Sequence, residues 1–224
     1  MKVSIIVPAY DEEEVIGEFL KEAIQNIKLD DYELLFVNDG SKDKTENIIQ
    51  AYSEKDKRIR LINHPKNLGL GRALSTGFKE ATGEIIVTMD ADLTHPPYLI
   101  SPLVNEMIKT NSDVAIASRY VQGGGMKNVP FYRVLISKIA NGFIYLLKGV
   151  HDGSAGFKAY RSNLIKEIEI ERNDFSVQLE IVLKLKKMDA KFCEIPLMLE
   201  TRKIGKSKFK ISMLLKYFKL IKFF

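Results

Sequence analysis

Five short apolar runs, rich in β-branched residues, punctuate the first half of the chain: VSIIV at 3–7, ELLFV at 33–37, IRLI at 59–62, EIIVT at 84–88 and DVAIA at 113–117. Each has the length of a strand, and their spacing of about 25–30 residues is that of βαβ units. Between them, over 12–27, 43–55, 70–81 and 97–110, apolar residues recur with the period of a helix. Strand and helix in alternation predict an α/β fold, a mostly parallel sheet with helices on both faces. A further helix is predicted within VPFYRVLISKIANGFIYLL, 129–147. The last stretch, KISMLLKYFKLIKFF at 210–224, sets Lys216, Lys219 and Lys222 among Leu, Ile and Phe. That pattern predicts a C-terminal basic amphipathic helix, too charged to span a bilayer, which takes about 20 mostly apolar residues. It either lies on a membrane interface or packs on its own domain. The expected organisation is one domain over 1–209 and an interfacial helix over 210–224.

Composition agrees with a single large domain: 224 residues, 46% apolar. Cys193 is the one cysteine, which excludes an intramolecular disulfide and points to a reducing, cytoplasmic setting. The opening MKVSIIVPAY is too short an apolar run for a signal peptide, and DEEE is the wrong flank. Net charge is +5, but from Thr201 onward there are eight basic residues and no acidic one, against 26 basic and 29 acidic before it. The basicity therefore belongs to the tail. It fits an anionic membrane surface on the cytoplasmic face and argues against a nucleic-acid partner.

Candidate chemistry sits where the predicted strands end. Ligands of open parallel sheets bind outside the carboxyl ends of the strands, and three of these ends are acidic: PAYDEE, NDGS and MDAD. Asp11, Glu12, Asp39, Asp90 and Asp92 would share one edge. Each cluster alone reads as an ordinary turn or helix cap; MDADLTHPP, with its Asp and Thr before prolines, is a good cap. Gathered together, these carboxylates would repel one another, and a bound cation relieves the repulsion. An EF-hand is excluded, since the glycine and distal Glu of its loop are missing after Asp90. His64, His95 and His151 all stand beside turn residues and read as structural, leaving no catalytic histidine.

The motifs VSIIVPAYDEEEVI, FVNDGSKDKT, NLGLGRALSTGF, MDADLTHPP, SRYVQGGG, SAGFKAYR and RKIGKSK occur in that order over nearly the whole chain. Together they resemble the family 2 glycosyltransferases of GT-A (Rossmann-like) fold, and most nearly the dolichol-phosphate mannose synthases and related polyprenyl-phosphate glycosyltransferases. The resemblance implies a donor site of Pro8, Ala9, Tyr10 and Glu12, then Val37 and Asp39, then Asp90, Ala91 and Asp92 of the D-x-D, with Arg119, Arg202 and Lys208. It implies Mg2+ or Mn2+ at Asp90 and Asp92. Thr94 stands where some members carry a liganding Gln, and a hydroxyl is the poorer ligand, with water as its replacement. The family's usual Asn after the tyrosine is Asp11 here. Arg133 and Ser137, four residues apart on one helix face, match the acceptor site. QGGG at 122–125 reads as a mobile loop able to close over substrate.

The function so implied is inverting transfer of a hexose, mannose from GDP-mannose foremost, to a polyprenyl phosphate. An acceptor phosphomonoester, with a second pKa of about 6, is largely dianionic at neutral pH and needs no general base. UDP-glucose or UDP-N-acetylglucosamine as donor, a glycan acceptor, or a catalytically silent membrane-associated module are the alternatives.

Overall fold

The computed structural model describes residues 1–200. Arg202, Lys208 and the predicted tail helix at 210–224 lie outside the described residues. The first half follows the predicted alternation: β1 Val3–Ala9, α1 Ile16–Asn26, β2 Tyr32–Asn38, α2 Thr45–Ser53, β3 Ile59–Asn63, α3 Leu70–Glu80, β4 Ile85–Thr88, α4 Ile100–Lys109 and β5 Val114–Ser118. The second half holds β6 Gly125–Lys127, α5 Phe131–Lys148, β7 Lys158–Arg161, α6 Ser162–Ile165, α7 Val177–Lys187, β8 Phe192–Pro196 and β9 Met198–Glu200.

Seven strands form one sheet in the order β3-β2-β1-β4-β7-β5-β8. Only β7 runs antiparallel, to β4 on one side and β5 on the other. Because it is flanked by two strands that run together, its N-terminal end reaches the edge where the others end. That single reversal delivers the segment 152–157 to the site.

The central strands are buried on both faces, as parallel strands are. Successive side chains divide between two cores: Val3, Ile5 and Val7 point to one, with Phe19, Leu20, Leu103 and Met107, while Ile6 points to the other, with Leu74, Phe78, Leu179 and Leu183. The helices supply matching stripes. In α1 the buried set is Ile16, Phe19, Leu20 and Ala23; in α4 it is Ile100, Leu103, Val104 and Met107. Both follow the one-turn spacing of an amphipathic helix.

One stretch departs from expectation. The QGGG stretch is not a free loop throughout: Gly125 opens β6, which pairs in parallel with β9 through Gly125↔Met198. Glycine runs allow either state, and the backbone partners on β9 decide it. α5 is a helix as predicted, yet over its 18 residues only Ala140, Asn141 and Ile144 are buried.

Candidate active site

The carboxyl edge of the sheet holds a cavity of about 310 Å³ whose wall includes Pro8, Ala9, Tyr10 and Glu12 after β1, Asp39 after β2, and Asp90 and Ala91 after β4. A neighbouring chamber of about 570 Å³ shares Tyr10 and Asn67 with it and is lined by Asn38, Ser41, Lys42, His64 and Lys66. The expected donor-side positions up to Ala91 thus converge, apart from Val37, which is wholly buried in the core. The sheet topology is the cause: β1 lies between β2 and β4, so their three C-terminal ends are adjacent.

Each acid is held by the backbone around it. Asp39 is 4% exposed. Its carboxylate accepts the N–H groups of Leu68 and Gly69 at 2.9 and 2.8 Å and meets His64 Nδ1 at 2.7 Å. His64 reaches Thr76 through its other nitrogen, at 2.9 Å. Asp39 therefore shapes the loop that leads into α3 as well as forming part of the wall. Gly69 has φ of 94°, and a Cβ there would stand 2.4 Å from the Asn173 carbonyl oxygen, so only glycine lets that loop meet the far wall.

The D-x-D turn has its own clamps. Asp92, 6% exposed, accepts both the N–H and the hydroxyl of Thr94, at 3.0 and 2.6 Å. Leu93 between them has φ of 64°, a conformation unusual for leucine, which folds Thr94 back onto the acid. Thr94 thus orients Asp92 through hydrogen bonds. Asp11 also has positive φ, 49°, and accepts the Lys42 N–H at 2.8 Å; its neighbour Tyr10 has its pKa raised, by the charge of Asp11 first and by burial next.

Arg119 follows β5. Its guanidinium makes a two-pronged pair with the fully buried Asp152, at 2.7 and 2.6 Å, and also donates to the Ser154 hydroxyl at 2.8 Å. Nearby, Tyr120 donates to Ser137 Oγ on α5 at 2.5 Å, and Asn141 spans from the Ser137 carbonyl to Ser154. Among the described residues Arg133 has no ion-pair partner. Lys158 lies wholly buried beneath, donating to the carbonyls of Ala155 and Gln178. Burial drives its pKa down to about 7, against the opposing pull of Asp152.

Three parts of this arrangement were not anticipated from sequence. Asp152 and Lys158 are distant in the chain from the groups they face. Asn173, Asp174 and Phe175 contribute to the same cavity wall, and the residues before them are held by Glu180, which accepts the N–H groups of Glu171 and Arg172 at 2.9 Å each. The Asn-Asp pair followed by Ser before the apolar run at 177 was the available signal, a helix start with its cap.

Residues 4–169 match the family Glycosyl transferase family 2. The chain belongs to that family. It is 40% identical over 225 residues to a dolichol-phosphate mannosyltransferase of Pyrococcus furiosus, covering 99% of this chain and 63% of that protein. It is 30% identical to a polyprenol monophosphomannose synthase of Mycolicibacterium smegmatis, covering 91% of this chain and 79% of that one. Among solved structures, glucosyl-3-phosphoglycerate synthase of Mycobacterium tuberculosis, in complex with Mn2+, UDP and glucosyl-3-phosphoglycerate, superposes with a TM-score of 0.71 at 18% identity, over 97% of this chain and 76% of that one. That likeness establishes the shared GT-A fold.

Among the described residues no three His, Cys, Asp or Glu side chains gather as a self-sufficient metal site. Two carboxylates with substrate phosphate and water are nevertheless the usual coordination of Mg2+. Asp90, in the cavity wall, and Asp92, two residues on, are hard oxygen donors of that kind, so the donor set fits a divalent cation completed by a nucleotide diphosphate.

Proposed function

We propose that the chain transfers a hexose, mannose from GDP-mannose in the first instance, to a polyprenyl phosphate at the cytoplasmic membrane face. The observation that carries this reading is that α5 is tied, through Tyr120–Ser137 and Asn141–Ser154, to the Arg119–Asp152 group. On a helical projection Phe131, Leu135, Ile139 and Leu146 form one stripe, and their exposure is 79%, 47%, 58% and 77%. Arg133 and Ser137 project from the opposite side, that of the buried Ala140, Asn141 and Ile144. A phosphate gripped by Arg133 and Ser137 would face the domain, while a prenyl chain would have an apolar surface to follow. The 40% identity to a dolichol-phosphate mannosyltransferase supports the same acceptor class.

The two chambers together suit a nucleotide-sized ligand, since small-molecule pockets typically measure about 300–1,000 Å³. The N-terminus of α3, at Gly69 and Leu70 in the wall, offers a positive dipole end to phosphate. Held at Asp90 and Asp92, a divalent cation would supply positive charge against the diphosphate as it leaves. Arg119, oriented by Asp152, adds a fixed cation on that side, and the expected roles of Arg202 and Lys208 complete the phosphate clamp. The acceptor phosphate oxygen forms its bond to the anomeric carbon as the bond to the diphosphate breaks, with inversion. Its negative charge makes a general base unnecessary, consistent with both near-site histidines being occupied by structural hydrogen bonds.

Calorimetric titration with GDP, GDP-mannose, UDP-glucose and UDP-N-acetylglucosamine, with and without Mn2+, tests the donor side. We expect GDP and GDP-mannose to bind at least tenfold more tightly than the UDP sugars, and only with full strength when Mn2+ is present. Preference for a UDP sugar would assign the chain to the alternative donor class, and no binding by any of them would favour the silent module.

A further inference from the structure

We infer that His95 is a positioning residue that fixes the Asp90 arm of the D-x-D turn for a divalent cation; this rests on the cation reading above. His95 is 4% exposed. Its Nδ1 accepts the backbone N–H of Asp90 at 2.9 Å. A nitrogen that accepts carries no proton, so the neutral ring holds its proton on Nε2. The same Nδ1 lies 3.8 Å from the Asp90 carboxylate, but having no proton to share it makes no ion pair there. The contact that matters is with the peptide.

The ring is itself packed against two neighbours. It lies tilted at 33° against Phe157, with centroids 5.3 Å apart. A Cβ on Gly156 would stand 3.1 Å from His95 Cε1 and 3.4 Å from Asp90 Oδ2, so ring and carboxylate both pack on that glycine. Gly156 in turn is tied to β4 by the Thr88 hydroxyl, which donates to its carbonyl at 2.9 Å. The turn therefore has two clamps of different design. Thr94 grips the carboxylate of Asp92, whereas His95 grips the main chain of Asp90. Mg2+ and Mn2+ demand closely placed oxygens, so a rotation of the Asp90 peptide would weaken cation capture without closing the nucleotide chambers.

Two substitutions separate the acceptor from the ring. His95→Phe keeps the apolar packing on Phe157 and removes the acceptor. His95→Asn offers its amide oxygen near the place of Nδ1 and gives up the ring. The measurement is GDP affinity by calorimetry, with Mn2+ and with chelator. In His95→Phe we expect the gain in affinity that Mn2+ confers to fall at least tenfold, with metal-free affinity unchanged and the protein folded by circular dichroism. His95→Asn should recover most of that gain. Should His95→Phe fail to fold, Gly156→Ala, which presses on ring and carboxylate, should show the same selective loss. The inference is overturned if His95→Phe responds to Mn2+ as the wild type does, or if His95→Asn is no better than His95→Phe. A wild type whose GDP affinity is indifferent to Mn2+ would instead remove the cation reading, and the inference with it.

Discussion

Glu33 is the side chain whose surroundings give the clearest pH signature. It is 3% exposed at the start of β2 and accepts from Ser4 at 2.5 Å, from the Thr82 N–H and hydroxyl at 2.8 and 2.7 Å, and from Arg60 at 2.7 Å. Burial alone would raise its pKa, but these donors outweigh it and lower the pKa from 4.5 to about 2. A folded-state value below the unfolded one stabilises the fold above the unfolded pKa, and the contribution fades as pH falls toward the folded value. The shift corresponds to roughly 3 kcal/mol. Glu33→Gln should therefore lose about 2–3 kcal/mol in urea unfolding at pH 7, and the gap to wild type should narrow steadily between pH 4.5 and 2. A gap independent of pH over that window would show that the carboxylate's charge is not what matters. At this scale the acids of the site were legible from sequence, because Asp39, Asp90 and Asp92 each follow an apolar strand directly. Asp152 and Lys158 were not, since what makes them notable is a partner across the fold: Arg119 for one, buried carbonyls for the other. The histidines were read as structural; the groups they meet, Asp39 and Thr76 for His64, the Asp90 N–H for His95 and Glu194 for His151, are visible only in three dimensions.

Helix α5 shows what an element adds to its residues. Its helical period was readable, and so was the one-turn spacing of Arg133 and Ser137. Which face meets the domain was not, because apolar residues occur all round it and only packing distinguishes the buried Asn141 from the exposed Leu135. β7 escaped notice for a related reason. At four residues, carrying a lysine and an arginine, it has no alternation to mark it, and its strand state comes from Ile85, Val87 and their neighbours on either side. α7 mixes Glu and Lys into an almost wholly buried helix, which masks its period. For the acceptor role, Arg133→Ala should raise the KM for polyprenyl phosphate tenfold to a hundredfold, as loss of a charge-assisted contact worth about 1.5–3 kcal/mol implies. Donor affinity should change less than threefold. Equal losses on both sides in a radiolabelled-sugar assay would detach α5 from the acceptor.

Across the whole molecule, the order of the strands explains why the chemistry gathers where it does. β1 between β2 and β4 brings together three acidic strand ends; the reversed β7 adds the 152–157 segment and with it the Arg119–Asp152 pair; α5 sets an apolar surface beside them. Among the described residues no helix is long and apolar enough to cross a membrane, so in this reading the lipid comes to an exposed helical face. The central claim is metal-dependent mannosyl transfer to a polyprenyl phosphate. Its most direct test is transfer of radiolabelled mannose from GDP-mannose to dolichyl phosphate in detergent micelles, comparing wild type, wild type with excess chelator, and Asp92→Asn. The account predicts organic-phase label with Mn2+ or Mg2+ for the wild type alone, and at least a hundredfold less in the other two, with Asp92→Asn still folded. Full transfer in chelator, or by Asp92→Asn, would contradict it.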